Sequence, residues 1–165
     1  MQFDDIRGHA VDGSIPFTTL LGLAYLNGMD VNIDYSEALR WLSIAAAIGT
    51  PRAMANLGYM YAEGLGVRRS SSHAYWLFKR STSEFASQLG LARLYASGDG
   101  VKRNRKLAVK WYSIAVSQYP ESESDPELDE ARDYILANSV ICRRQMNGCS
   151  LQVELKQLAM YRDMV

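Results

Sequence analysis

The sequence predicts an all-α protein, a right-handed α/α solenoid of three helical hairpins, and three observations carry that prediction. A pattern recurs along the chain: Leu21, Leu57 and Leu91 correspond, as do Tyr25, Tyr61 and Tyr95, Gly28, Gly64 and Gly98, and Val31, Val67 and Val101, at intervals of 36 and 34 residues. Repeats of that length are helical hairpins stacked side by side. Within each copy the apolar residues fall at helical spacing, Phe17, Leu21 and Tyr25 in the first and Ala53, Leu57 and Tyr61 in the second. The composition is that of a folded chain: of 165 residues, 48% are hydrophobic and 22% charged, which supports a core and excludes wholesale disorder.

Taken in order, the elements follow from local signals. The opening stretch FDDIRGHAVDG matches the tail of a second helix, so residues 1–16 read as a half-repeat that caps the array. The first hairpin spans 17–52. Its first helix runs to Gly28, which supplies a left-handed stop, and its second starts at Asp34-Tyr35-Ser36-Glu37, a capping-box pattern. Thr50-Pro51 opens the next hairpin with proline in the first helical turn, and the second repeat occupies 53–86. The third, 87–119, stops its first helix at Gly98 and takes Asn104 as the N-cap of its second. Small residues at Gly22, Gly58 and Ala92, and at Ala38, Ala74 and Ala108, let neighbouring helices approach closely, while tyrosine and tryptophan fill the wider gaps. After Val116 comes an acidic connector, SQYPESESDPELDE, ending in a helix start at Asp125-Pro126. Residues 120–165 then read as a two-helix C-terminal cap divided at Asn147-Gly148, its last helix at SLQVELKQLAMYRDM.

The pattern A-x3-L-G-x2-Y-x2-G-x-G-V, followed by A-x2-W and a run of small residues, resembles the Sel-one-like repeat (SLR) family, relatives of the tetratricopeptide repeats. AMANLGYMYAEGLGV in the second unit matches its first half without a gap, and the resemblance covers Phe17 to Gln118. Three departures stand out. Met29-Asp30 replaces the expected glycine in the first unit, Ala92 replaces glycine in the third, and Trp76 falls one position early, leaving Leu77 aligned with Trp41 and Trp111. The resemblance implies a non-catalytic protein-interaction module of the kind that serves as an adaptor in bacterial signalling, envelope and secretion systems. It also admits a second role, an immunity protein that neutralises a cognate toxin or effector.

Several chemistries find no support. The Gly98-Asp99-Gly100 turn looks like a phosphate loop, but it follows a helix, whereas such loops follow a strand and open a helix toward the anion. Cys142 and Cys149 are too few for zinc, and His9 and His73 are distant from them, so no metal or cofactor is expected. Whether the two thiols pair stays open at this stage. No nucleophile has a base at recognisable spacing, and the carboxylate pairs lie in acidic stretches without apolar surroundings, so neither catalytic residues nor a small-molecule substrate is expected. The chain has no apolar run long enough to span a bilayer. MQFDDIRGHAVDG lacks the apolar core of a signal peptide, which points to the cytoplasm and leaves the periplasm for a processed form.

Net charge is zero, so any electrostatic attraction is local. Between Gly66 and Lys110 stand ten basic residues against Glu84 and Asp99. Arg68-Arg69 and Lys102-Arg103 are repeat-equivalent, so with Arg105 and Lys106 they form a basic ridge along one loop edge. It suits solvent, the chain's own acidic connector (Glu121, Glu123, Asp125, Glu127, Asp129, Glu130) or an acidic protein partner. Nucleic acid is not expected, because no aromatics interleave with the charge. The sharper functional expectation rests on positions that the repeat leaves free. Leu20, Leu23 and Asn27, then Asn56, Tyr59 and Glu63, then Gly90, Arg93 and Ser97, change along the array while the repeat residues stay fixed. First helices line the concave side of such stacks, so these nine form the floor of a groove for a protein segment, with Tyr59 and Arg93 as anchors.

Overall fold

The structure, a computed structural model, describes residues 3–119 and 125–145, and every element among them is an α-helix. The helices are α1 (Phe3–Val11), α2 (Ile15–Asn27), α3 (Tyr35–Ala47), α4 (Pro51–Glu63), α5 (Ser71–Arg80), α6 (Phe85–Ser97), α7 (Arg105–Val116) and α8 (Pro126–Gln145). Each packs on the next in the chain, and α4 touches α6 and, less closely, α2. The pairs α2–α3, α4–α5 and α6–α7 are the three hairpins, α1 packs on the first of them, and α8 packs on the last. The hairpins begin at residues 15, 51 and 85, two residues before the divisions expected at 17, 53 and 87. Proline in the first turn of α2 and of α4 places those starts.

One turn is built three times. Gly28, Gly64 and Gly98 end the first helices at φ 71°, 78° and 82°, the left-handed region that glycine enters without penalty. The chain then returns so that the N-cap amide of the second helix donates to the carbonyl of the repeat tyrosine: Asp34 to Tyr25 at 3.0 Å, Ser70 to Tyr61 at 2.8 Å and Asn104 to Tyr95 at 2.9 Å. The side chains of the same three residues accept amides of the first helical turn. Ser70 was not singled out from the sequence. At Asp34 the expected capping box closes on one side only, because the Asp34 amide is already taken by Tyr25. Glu37 instead accepts from the Trp41 indole at 2.9 Å.

The second glycine of each G-x-G has a different task. A Cβ on Gly66 would stand 2.7 Å from Tyr35 Cβ, and one on Gly100 would stand 2.8 Å from the Ser71 backbone. Each turn is thus docked on the start of the preceding repeat's second helix, a contact closer than any side chain permits. Asp30 holds the same place in the first unit with φ 55°, and there it is exposed. That exposure leaves room for a side chain.

The core runs the length of the stack. Leu42, Met54 and Leu57 join the first two hairpins, Phe78, Leu91 and Leu94 the second and third, and Leu89, Ala92 and Tyr112 carry the core on to Ala131 of α8. Ala38, Ala74 and Ala108 are fully buried, which is the close approach their size implied. Leu77 takes the inward place that Trp41 and Trp111 hold elsewhere, while Trp76 turns outward, 57% exposed, with the Arg80 guanidinium over its ring at 4.5 Å. Tyr75 and Tyr95 share a hydrogen bond of 3.1 Å that pushes the Tyr95 hydroxyl up to about 12. The acidic residues Glu121 and Glu123, the side chain of Cys142, Cys149 and the expected last helix lie outside the described residues.

Candidate functional site

The concave expectation divides when the nine residues are placed. Leu23 is 5% exposed and belongs to the core with Leu26 and Leu42, so it is a packing residue and no part of a free lining. Leu20 and Asn56 are half-buried, Asn27 is exposed, and Asn56 turns its amide back to the Arg52 carbonyl at 2.8 Å. The other five, Tyr59, Glu63, Gly90, Arg93 and Ser97, come together around one hollow of about 200 Å³ between α4 and α6.

The hollow exists because of Gly90. Its position is Leu20 in the first repeat and Asn56 in the second. Here the Phe78 ring rises from α5 so close that a Cβ on Gly90 could not fit, and the ring also presses on Gly58 at 2.6 Å from where a Cβ would stand. Phe78, Leu89 and Leu94 therefore form an apolar floor, with no side chain above it at residue 90. Tyr59, 43% exposed, and Glu63 stand on one rim, while Arg93 and Ser97 stand on the other.

The expected anchor Arg93 is already engaged. Its Nη2 donates to Glu130 Oε2 at 2.6 Å and its Nη1 to Glu127 Oε1 at 3.4 Å, both carboxylates being carried by α8. Behind them the buried Tyr112 hydroxyl donates to Glu130 Oε1 at 2.9 Å. The Arg93 bond holds the Glu130 carboxyl below its ordinary value, against the opposing effect of burial. Burial pushes the Tyr112 hydroxyl up, and its bond to Glu130 adds to the effect. With its side chains about half exposed, the Arg93–Glu130 pair contributes at most about 1 kcal/mol. The buried hydroxyl bonded to a carboxylate contributes more, roughly 1.5–3 kcal/mol. The sequence offered the acidic connector to the basic ridge; the structure sends Glu127 and Glu130 to Arg93 on α6. Their i, i+3 spacing at the start of α8 was visible, but the fold-back that aims them was not.

The ridge is partly drawn into the same neighbourhood. Arg68, Lys102, Arg103, Arg105 and Lys106 are exposed along the loop edge. Arg69 is committed: its Nε donates to the Ala62 carbonyl at 2.9 Å and its Nη2 to Asp99 at 2.6 Å. That pair ties the turn of the second repeat to the turn of the third and closes one end of the hollow. One serine–histidine contact forms, Ser70 Oγ to His73 Nδ1 at 2.8 Å, with His73 stacked on Tyr61. Ser70 Oγ also accepts the His73 amide as the helix cap, in an exposed setting. His9 packs against Phe17. Among the described residues, no group of three or more metal-ligating side chains gathers and no helix is long and apolar enough to cross a membrane.

The same architecture occurs in solved structures. A protective antigen present in uropathogenic Escherichia coli strains, displaying an SLR fold, superposes with a TM-score of 0.66 at 37% identity, over 71% of this chain and 26% of that one. A Sel1 repeat protein from Oxalobacter formigenes superposes with a TM-score of 0.63 at 33% identity, over 81% of this chain and 96% of that one. This chain thus spans about a quarter of the first protein and nearly all of the second. Sel1 repeat proteins generally act as non-catalytic scaffolds for protein–protein interaction. The profile of that repeat matches residues 18–49, 51–84 and 85–119, over the three hairpins in turn, and the chain belongs to the Sel1 repeat family.

Proposed function

We propose that the chain is a non-catalytic adaptor that captures a segment of a partner protein in the concave groove of its first helices. The observation that carries this reading is the hollow between α4 and α6, whose rim residues differ from repeat to repeat above a constant packing scheme. Tyr59 supplies a large amphipathic surface at small entropic cost, the kind of side chain on which binding energy concentrates. Glu63, Arg93 and Ser97 add polar contacts, and Leu20, Asn27 and Asn56 extend the surface toward the first repeat. Along the loop edge, Arg68, Lys102, Arg103, Arg105 and Lys106 raise the rate of encounter with an acidic surface of the same partner, with Arg69 held back by Asp99.

A photo-crosslinking amino acid at position 59, compared with one at Trp76 on the exposed side of α5, tests the groove in living cells. A discrete adduct from position 59 and none from position 76 is expected; adducts from position 76 alone overturn the assignment. With the partner in hand, purified complexes separate two roles. A partner whose own activity survives binding is served by an adaptor, whereas a toxin silenced by binding makes the chain its immunity protein.

A further inference from the structure

We propose that the hollow between α4 and α6 receives the guanidinium of an arginine carried by the partner segment. This rests on the groove reading and adds the chemistry of what enters. A volume of about 200 Å³ is small for a free organic ligand, for which about 300–1,000 Å³ is usual, and suits one large side chain. Its floor is apolar, so the occupant has an apolar stem. Its rim is acidic in balance. Of the charged residues that line it, Glu63, Asp99 and Glu127 meet Arg69 and Arg93, which leaves one negative charge in excess, and Glu130 draws on Arg93 as well. Both arginines are already spent, Arg69 on Asp99 and Arg93 on Glu130 and Glu127. Glu63 stands exposed on the rim and makes no ion pair among the described residues.

Arginine fits this arrangement better than lysine. Its planar group stacks on an aromatic face and forks a carboxylate with two parallel hydrogen bonds. Tyr59 and Glu63, one turn apart on α4, offer those two surfaces side by side. The chain itself already uses the chemistry across the gap, where the forked head of Arg93 meets the carboxylates of α8. An acidic segment would meet the excess carboxylate and be repelled, while a neutral one would leave Glu63 unused.

The test uses the full-length chain and three short peptides of one alanine background, bearing a central arginine, citrulline or glutamate, followed by amide chemical shifts. Citrulline keeps the shape of arginine and removes its charge. The arginine peptide should perturb the amides around Tyr59, Glu63, Gly90 and Ser97, and bind at least about five-fold more tightly than the citrulline peptide. Glu63→Gln should abolish that preference, whereas Asp12→Asn, on an exposed residue at the other end, should leave it intact. Equal binding of arginine and citrulline, stronger perturbation by glutamate, or an unaltered preference in Glu63→Gln overturns the proposal. If crosslinking through position 59 still identifies a partner in that case, the groove reading stands and only the arginine assignment falls.

Discussion

At the C-terminal end of the array, α8 lays Leu128 and Ala131 into the core and binds Arg93 and Tyr112 through Glu127 and Glu130. At the N-terminal end, α1 buries Ala10 but leaves Val11 66% and, just past the end of α3, Ile48 57% exposed around a second hollow of about 600 Å³. Both helices pack on a neighbour, and α8 brings a polar network with it. The difference teaches that closing the stack and shaping the groove are one event at the C-terminal end. The carboxylates that fasten α8 also set the charge of the hollow, and the buried Tyr112 hydroxyl fixes where one of them stands. The N-terminal hollow lies apart from these carboxylates, so changes at Ile48 should stay local.

The contrast can be broken most sharply at Leu128, which is 2% exposed. Leu128→Ala should cost about 3 kcal/mol in urea unfolding through the lost burial and the cavity left behind. An equal loss from Ile48→Ser would erase the asymmetry between the ends. Next in size, Tyr112→Phe should cost about 1.5–3 kcal/mol, because the bond between the buried hydroxyl and the Glu130 carboxylate is lost. Heteronuclear spectra should then show shifts at Arg93 and around the hollow. Acid should act on the same end. The Glu130 carboxyl lies below its ordinary value, so its contribution is complete above the unfolded value of 4.5 and is lost as pH falls through the lower folded one. Hydrogen exchange followed from about pH 6 to about pH 3 should therefore show protection in α8 declining before protection in α1. Smallest of all, Ile48→Ser should change stability by no more than about 0.5 kcal/mol, since the side chain is mostly in water already.

Much of the fold was legible because its signals are local. The glycine stops at residues 28, 64 and 98, the caps at Asp34 and Asn104 and the proline starts each depend on a few adjacent residues. The repeat then fixes where those local pieces stack. The departures were legible as departures but not as causes: that Asp30 stands exposed, or that Leu77 replaces a tryptophan inward, needs neighbours in space. The site was read less well for the same reason. Helical phase placed Leu23 beside Asn27 and Tyr59, but phase cannot say that the neighbouring hairpin closes over one end of the array. Arg93 was picked out as a basic residue on the right face, while its partners lie 34 and 37 residues onward, across a connector whose path no local rule dictates. Gly90 was one of the nine expected floor positions, and its particular value came only from the ring of Phe78 beneath it.

The docking of Gly66 and Gly100 on the helix starts behind them has a further consequence. The gauge between successive hairpins is set where a bare backbone turn rests on a helix start, so it is insensitive to which side chains line the groove. A hairpin could be duplicated or exchanged with its neighbour and keep the same pitch, provided its turn retained that glycine. The lining can therefore drift toward new partners while the ruler that spaces it stays the same length.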